Sequence, residues 1–389
     1  MTVRVYFEPA GRMHSTQRYL VNYPPTGFEF VKREKTLPGQ KILTSDFFFH
    51  RRRRSLEQLL PLNLITGWTM SKLGKIPNAN IIYAYNHPVF RPSPWVVFVE
   101  WFHVLVGRNI RLFKRYRKVV EDLLYSDHCK GILTWGELAR QSIIKNYPSG
   151  LESKLTVLPL SVNPKNFVKE YDKKKVRLLF VGSPDAGVDF VHKGGVEVLE
   201  AFRSLQKEFD NIELVIRANV PLEIKAKFHG MQNVVIIERI LPRPALEDLF
   251  KSADIFVQPT YDTPFGAFLE AMSYELPVVT RMAFANSEIV DDGKTGLIAK
   301  GQRTIDFLYN YDGCVMVPVG ATPYRSSFEK AIRVTDPFFV QDLTEKLARL
   351  IENQSLRKEM GKKARHEIEN GKFSITKRNE ILRQVLERA

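Results

Sequence analysis

Two carboxylates, Asp262 and Glu270, are separated by seven residues, and between them Pro264-Phe265-Gly266 ends a loop and opens a helix. A strand ending at Gln258-Pro259 delivers the chain to that loop. The first N–H groups of a helix have no intrahelical acceptor, so the start that Pro264 opens, with the N–H groups of Phe265, Gly266 and Ala267, forms a ready anion site, and Gly266 lets a ligand approach the backbone. Glu270, one turn in, is placed to accept hydrogen bonds from a pair of sugar hydroxyls, with Asp262 on the loop facing the same ligand. Each has an ordinary alternative. Asp262 also suits an Asx turn or helix cap, and Glu270 a solvated helix carboxylate.

The elements that must position these groups alternate between strand and helix. In the first half, strands are expected at Val3–Phe7, Gly27–Val31, Asn80–Tyr85, Pro94–Val99, Gly131–Trp135 and Leu155–Leu160, with helices at Ser15–Leu20, Arg108–Tyr125 and Glu137–Asn146. After a polar, lysine-rich break (KNFVKEYDKKK) the alternation restarts at Val176–Val181 and runs to Pro277–Thr280. Compact apolar strands joined by helices mean parallel sheets covered on both faces. The fold class is therefore α/β, two Rossmann-like doubly wound domains facing across a cleft, with ligand at the carboxyl ends of the strands. Domains are expected over 1–165 and 176–373, with a linker at 166–175 and a last helix over 374–389. Gly361 and Gly371 are expected to break the helical tail, and 302–335 is an insertion with one strand at Cys314–Val317.

The 389 residues carry a net charge of +15, but not evenly. Residues 1–165 hold 25 Lys and Arg against 11 Asp and Glu, while the remaining 224 hold 33 against 32. The first half is thus the half suited to an anionic partner. With 44% hydrophobic and 26% charged residues, a disordered or fibrous chain is excluded. Cys129 and Cys314 have no Cys or His at ligand spacing, so neither a disulfide framework nor a metal site is expected. The charged N-terminus does not resemble a signal peptide, and the apolar run from Trp95 to Val106 is too short to span a bilayer. The expected location is cytoplasmic, with peripheral membrane association through the basic half.

The run Asp262-Thr263-Pro264-Phe265-Gly266-Ala267-Phe268-Leu269-Glu270-Ala271-Met272, continuing through Pro277-Val278-Val279, resembles the signature of the group 1 (family 4) retaining glycosyltransferases of GT-B fold. Ser287-Glu288-Ile289-Val290 and Asp292-Gly293-Lys294-Thr295-Gly296-Leu297 are similar to its downstream block, and Val181-Gly182 with Lys193-Gly194, Leu199 and Ala201 to its upstream one. The resemblance implies a nucleoside diphosphate-sugar donor held by the second domain, no cofactor and no protein metal. Lys193 and Gly182 would meet the diphosphate, Glu270 the ribose, Asp262 the transferred sugar, and Arg239 and Ile240 the base. Two departures stand out: Asp262 replaces a Glu, and Ser183 replaces the usual arginine, for which Arg217 or Arg239 could substitute. In the first domain the layout implies Gly11 and His87 beside the acceptor, with Glu100 or His103 at the place of a histidine that faces the sugar.

The acceptor would be a glycan or a lipid-linked molecule. His50-Arg51-Arg52-Arg53-Arg54 beside Phe47–Phe49, and the helix from Gly107 to Lys118 with Ile110, Phe113 and Val119 among its cations, suit an anionic membrane surface. No nucleic-acid module accompanies the charge. A sugar-nucleotide epimerase or phosphorylase would share the architecture without the Pro264–Val279 signature, and a nucleic-acid-binding protein would leave Asp262 and Glu270 without a role.

Overall fold

The computed structural model describes residues 2–8, 15–31, 56, 59–74, 78–171, 174–182, 187–302, 308–311, 313–318 and 325–389. Gly11, Ser183 and the Phe47–Arg54 run lie outside them. The chain divides into two compact units, the first made of Met1–Ser161, Leu308–Ser326 and Ile375–Ala389, the second of Val162–Phe307 and Ser327–Ser374.

The first unit is built on a six-stranded parallel sheet in the order β2-β1-β3-β4-β5-β6. The strands are β1 (Val3–Glu8), β2 (Phe28–Val31), β3 (Ile81–Tyr85), β4 (Trp95–Phe98), β5 (Cys129–Thr134) and β6 (Leu155–Val157). Their apolar runs are buried on both faces, as parallel sheets require: Trp95, Val96 and Val97 are all fully enclosed. The helix Ile110–Tyr125 is capped by Asn109, whose side chain accepts from the Arg111 N–H at 2.9 Å. It turns Ile110, Phe113, Val120 and Leu124 into the core. The helix Ile375–Glu387 belongs to this unit too. Its Val385 lies so close to Gly131 on β5 that a Cβ there would come within 2.7 Å, and its buried Arg378 donates to Ser161 Oγ at 2.9 Å and to the Tyr23 carbonyl at 2.6 Å.

The second unit repeats the plan, with order β12-β11-β10-β7-β8-β9. Here β7 is Val176–Val181, β8 Ile212–Arg217, β9 Val234–Ile236, β10 Ile255–Val257, β11 Val278–Arg281 and β12 Gly296–Ala299. The order runs outward from β7 in both directions, so the switch between β7 and β10 is where a crevice opens at the carboxyl ends of the strands. The corresponding switch in the first unit lies between β1 and β3.

Three features differ from the sequence expectation. The helix Leu62–Leu73 was not expected, because its apolar residues lie all round it and give no one-sided period. The 302–335 insertion holds two strands rather than one, β13 (Leu308–Tyr311) and β14 (Cys314–Pro318), paired antiparallel. Within the first unit, the Asn146 side-chain amide bonds both backbone groups of Val315, at 2.7 and 2.9 Å, and Val317 enters the core. Gly361 does not break the tail. The helix Gln354–Glu369 runs through it, and the break falls earlier, at the Asn353 cap. Gly361 faces the Glu275 carbonyl so closely that a Cβ would overlap it.

That contact sets two effects against each other in Gly361→Ala. Helix propensity favours alanine by about 1 kcal/mol, whereas overpacking against an immobile carbonyl costs about 1–3 kcal/mol. The clash should win: urea titration of the variant should show a net loss of up to about 2 kcal/mol, and a stabilised variant would refute the packing argument.

Candidate active site

In the second unit the site is assembled from backbone outward. Gly182 ends β7; its N–H donates to the Arg217 carbonyl at 2.8 Å and its carbonyl accepts from Arg217 Nη1 at 2.9 Å. A Cβ at Gly182 would come within 2.8 Å of Ala218. Arg217, at the end of β8, thus holds its guanidinium beside Gly182. Buried Gln258, just past β10, donates from Nε2 to the Val181 carbonyl at 2.5 Å and fixes the two strand ends across the switch. Lys193 precedes Gly194, which adopts φ +77 and lies against the Pro259 carbonyl. Only glycine fits there.

The loop after β10 carries Asp262 exposed to solvent. Its Oδ1 accepts from the Thr263 N–H at 2.7 Å, and its own N–H donates to Thr260 Oγ1 at 3.1 Å, so the carboxylate is held locally in a turn. The helix Phe265–Ser273 follows, with Pro264 at its cap. The N–H groups of Ala267 and Phe268 both donate to the Pro264 carbonyl and that of Phe265 to Thr263, and the first-turn N–H of Gly266 is bonded to none of these. The helix start is thus a narrower anion site than expected. Glu270 is buried and its Oε1 accepts from Arg243 Nη2, with Lys165 Nζ at 3.2 Å. Glu247 binds the same two cations, at 2.7 and 3.6 Å. Lys165 also stands 5.4 Å from the centre of the Tyr274 ring. Nothing in their local sequence singles out Lys165 and Arg243. Past β9, Glu238 accepts from Lys225 at 2.7 Å and from the Val220 N–H at 3.0 Å, and this leaves Arg239 and Ile240 exposed at the loop tip.

In the first unit the two expected histidines prove to be interior struts. His87 is fully buried, and its Nε2 lies 3.1 Å from the Glu8 carbonyl, tying β3 to β1. Burial pushes its pKa down. His103 is enclosed beside the Phe102 ring, and burial, helped by Arg108, pushes its pKa down to about 3. Both rings are enclosed, His87 0% and His103 3% exposed. Glu100 is different. Half-buried past β4, it accepts from Tyr85 Oη at 2.9 Å, while its N–H donates to Asn86 Oδ1 at 3.1 Å and its carbonyl accepts from Trp135 Nε1 at 2.9 Å. Asn86 reaches this position at φ +60, a left-handed conformation that asparagine tolerates. Of the expected first-unit candidates among the described residues, Glu100 alone keeps an accessible functional group.

Glu8 was not anticipated. It ends β1 at the switch, 2% exposed, and its Oε2 makes no hydrogen bond among the described residues. Burial raises its pKa to about 7, against the opposing pull of Arg91. Among the described residues no group of three or more His, Cys, Asp or Glu could hold a metal ion.

Comparison with known proteins bears on the family and the fold. Residues 164–308 match the family model of the glycosyl transferases group 1. A D-inositol 3-phosphate glycosyltransferase from Arthrobacter sp. (strain FB24) is 37% identical over 79 residues, 20% of this chain and 19% of that protein. The chain therefore matches about a fifth of the length of that curated relative. Sucrose-phosphate synthase from Thermosynechococcus elongatus superposes with TM-score 0.61 at 13% identity, covering 100% of both chains. Anabaena HepE, solved with UDP and glucose, superposes with TM-score 0.58 at 12% identity, again over 100% of both.

Glu8 makes a pH prediction. Because its folded pKa lies above the unfolded value, its contribution is neutral in acid and turns destabilising as pH rises past the unfolded pKa towards 7. Glu8→Gln should therefore stabilise the first unit by about 3 kcal/mol at pH 8 and by almost nothing at pH 4. Thermal unfolding of the two proteins across that range checks it; a gain independent of pH would mean that Glu8 is not held neutral.

Proposed function

We propose, from the match of residues 164–308 to the family model of the group 1 glycosyl transferases and from the two parallel sheets of GT-B type, that the chain transfers a sugar from a nucleoside diphosphate-sugar to an acceptor hydroxyl with retention at the anomeric carbon. The observation that carries this is the Asp262–Val279 segment, which forms a loop, helix and strand beside the switch between β7 and β10, with Glu270 paired to Arg243 and Lys165. In this reading Lys193 and Arg217 take the charge of the diphosphate, Arg217 standing in for the cation missing at Ser183. Gly182 and the Gly266 helix start offer close backbone approach. Glu270 accepts from the ribose hydroxyls, Asp262 from the transferred sugar, and the base lies against Arg239 and Ile240. The bond from the anomeric carbon to the diphosphate oxygen breaks as that carbon bonds the acceptor oxygen. The acceptor proton passes to the departing phosphate, whose developing charge the cations stabilise. Glu100 is the first-unit group assigned to the acceptor, a glycan or lipid-linked hydroxyl compound. No protein metal or cofactor is required.

Turnover should be sought with a panel of nucleoside diphosphate-sugars and candidate acceptors, read by mass spectrometry. Glu270→Ala should lower it about 100-fold while circular dichroism stays unchanged; a variant of undiminished activity would sink the site assignment. A product that is a rearranged nucleotide sugar, or a free sugar phosphate, would favour the epimerase or phosphorylase alternative.

A second reading concerns where the acceptor is met. The Ile110–Tyr125 helix was expected to offer both cations and apolar residues to a membrane; Ile110 and Phe113 face the core, while its exposed face carries Arg111, Lys114, Arg115 and Lys118 together with Val119. More apolar surface lies on the segment leading into and along Leu62–Leu73, where Leu59 is 73% exposed, Trp68 50% and Leu73 72%. Asn63 joins this segment to the stretch before the basic helix, its Nδ2 donating to the Val104 carbonyl at 2.6 Å and its N–H to Val106 at 3.2 Å. We propose that the two together dock on an anionic bilayer, the cations drawing the unit down and the apolar residues entering the interface. Among the described residues no helix is long and apolar enough to cross a membrane.

Vesicles containing phosphatidylglycerol should bind the protein and blue-shift its tryptophan emission, whereas neutral phosphatidylcholine vesicles should not. Leu59→Ser/Trp68→Ser/Leu73→Ser should reduce binding about tenfold or more. Retained binding in that variant would refute the docking face.

A further inference from the structure

Beneath the candidate donor site lies a buried ionic cluster that the catalytic reading does not use. Glu197, on the first turn of the Gly195–Leu205 helix, is wholly buried. Its Oε1 accepts from Tyr261 Oη at 2.5 Å and from Arg281 Nη2 at 3.2 Å. Arg281 ends β11; its Nη2 also donates to Tyr261 Oη at 3.0 Å and its Nε to the Pro259 carbonyl at 3.4 Å. The guanidinium is sandwiched between two rings, 4.0 Å from the centre of Tyr261 and 3.5 Å from that of Phe339. All three members sit out of water, so the desolvation cost is large and the pair is poor evidence for stability in itself. An apolar trio would fill the same space. What the ions add is geometry.

That geometry spans two segments. Glu197 lies four residues after Lys193, on the helix that the Lys193-Gly194 turn begins. Tyr261 immediately precedes Asp262, and its N–H donates to the His192 carbonyl at 2.9 Å. Asn286 steadies the same loop, its Nδ2 donating to the Thr260 carbonyl at 3.4 Å and to that of Arg281 at 3.1 Å. We propose that Glu197, Arg281 and Tyr261 are positioning residues that lock the Lys193 turn to the Asp262 loop. They set a fixed separation between the group that meets the donor diphosphate and the group that meets the transferred sugar. This rests on the donor assignment above. None of the three touches substrate. Their effect is confined to ligands that engage both segments at once, because a ligand reaching only the Lys193 side needs no registration with Asp262.

The test compares calorimetric affinities for UDP, GDP, ADP and dTDP with those for their hexose and N-acetylhexosamine conjugates. Tyr261→Phe removes one hydroxyl and keeps the ring. It should leave the affinity for the free nucleoside diphosphate within about twofold while weakening the sugar conjugate about tenfold, with kcat falling by a similar factor. Arg281→Lys, which keeps the charge but not the planar fork, should do the same. Removing Arg281 alone strands a buried carboxylate and threatens folding, so Glu197→Leu/Arg281→Met serves as the folded control: its thermal midpoint should stay near wild type while the same selective loss appears. Equal weakening of both ligand classes, or no change in either, would overturn the positioning role. If the wild-type protein bound none of the nucleotides, the donor assignment itself would fall, and the positioning role with it.

Discussion

The Lys193-Gly194 turn and the Pro259–Asp262 loop meet backbone to backbone, and the second unit's site depends on that approach. A side chain at position 194 would overlap the Pro259 carbonyl, and its φ of +77 penalises any residue but glycine. The approach joins segments from either side of the β7/β10 switch, and two further ties hold it: Gln258 bonded to the Val181 carbonyl, and Tyr261 bonded to that of His192. These contacts use main-chain groups or wholly buried side chains, so the surface above is free to carry charge. The cations Lys193, Arg243 and Lys165 and the carboxylates Asp262 and Glu270 stand around this frame, to which Arg217 adds its own bond to the Gly182 carbonyl.

The two units treat their carboxylates differently. In the second, Glu270 is buried but surrounded by Arg243 and Lys165, which offset its desolvation. In the first, Glu8 ends strand β1 with only Arg91 opposing its burial, which raises its pKa to about 7. The same residue type thus meets two cations on a helix in one unit and a nearly dry strand end in the other. Environment decides the difference.

Much of this was legible in the sequence, for identifiable reasons. Parallel strands buried on both faces leave continuous apolar runs such as VRLLFV and NIIYAY, and these strands lie where the runs are. The Asp262–Val279 segment was legible because its loop, helix and strand are contiguous. Interactions that join distant residues left no trace: Glu197 and Arg281 are 84 positions apart, and neither neighbourhood hints at the other. His87 and His103 looked like surface chemistry because burial is a tertiary property. The basic helix was read correctly as amphipathic, but which face would be inward depended on the sheet it covers. Gly361 reads as a helix breaker in one dimension; its helix is continuous because the residue meets a carbonyl from elsewhere in the unit.

The first unit is assembled from three separated stretches of chain, and Ile375–Glu387 supplies the helix that lies on β5 and buries Arg378 against Ser161 and Tyr23. During synthesis the six strands of that sheet leave the ribosome first, but their covering helix follows only after the whole second unit has been made. The early sheet must wait with apolar β5 surface uncovered, in the state most exposed to misassociation. Maturation of the first unit is thereby timed by translation of the second, so an intact first unit reports that the second has already been synthesised.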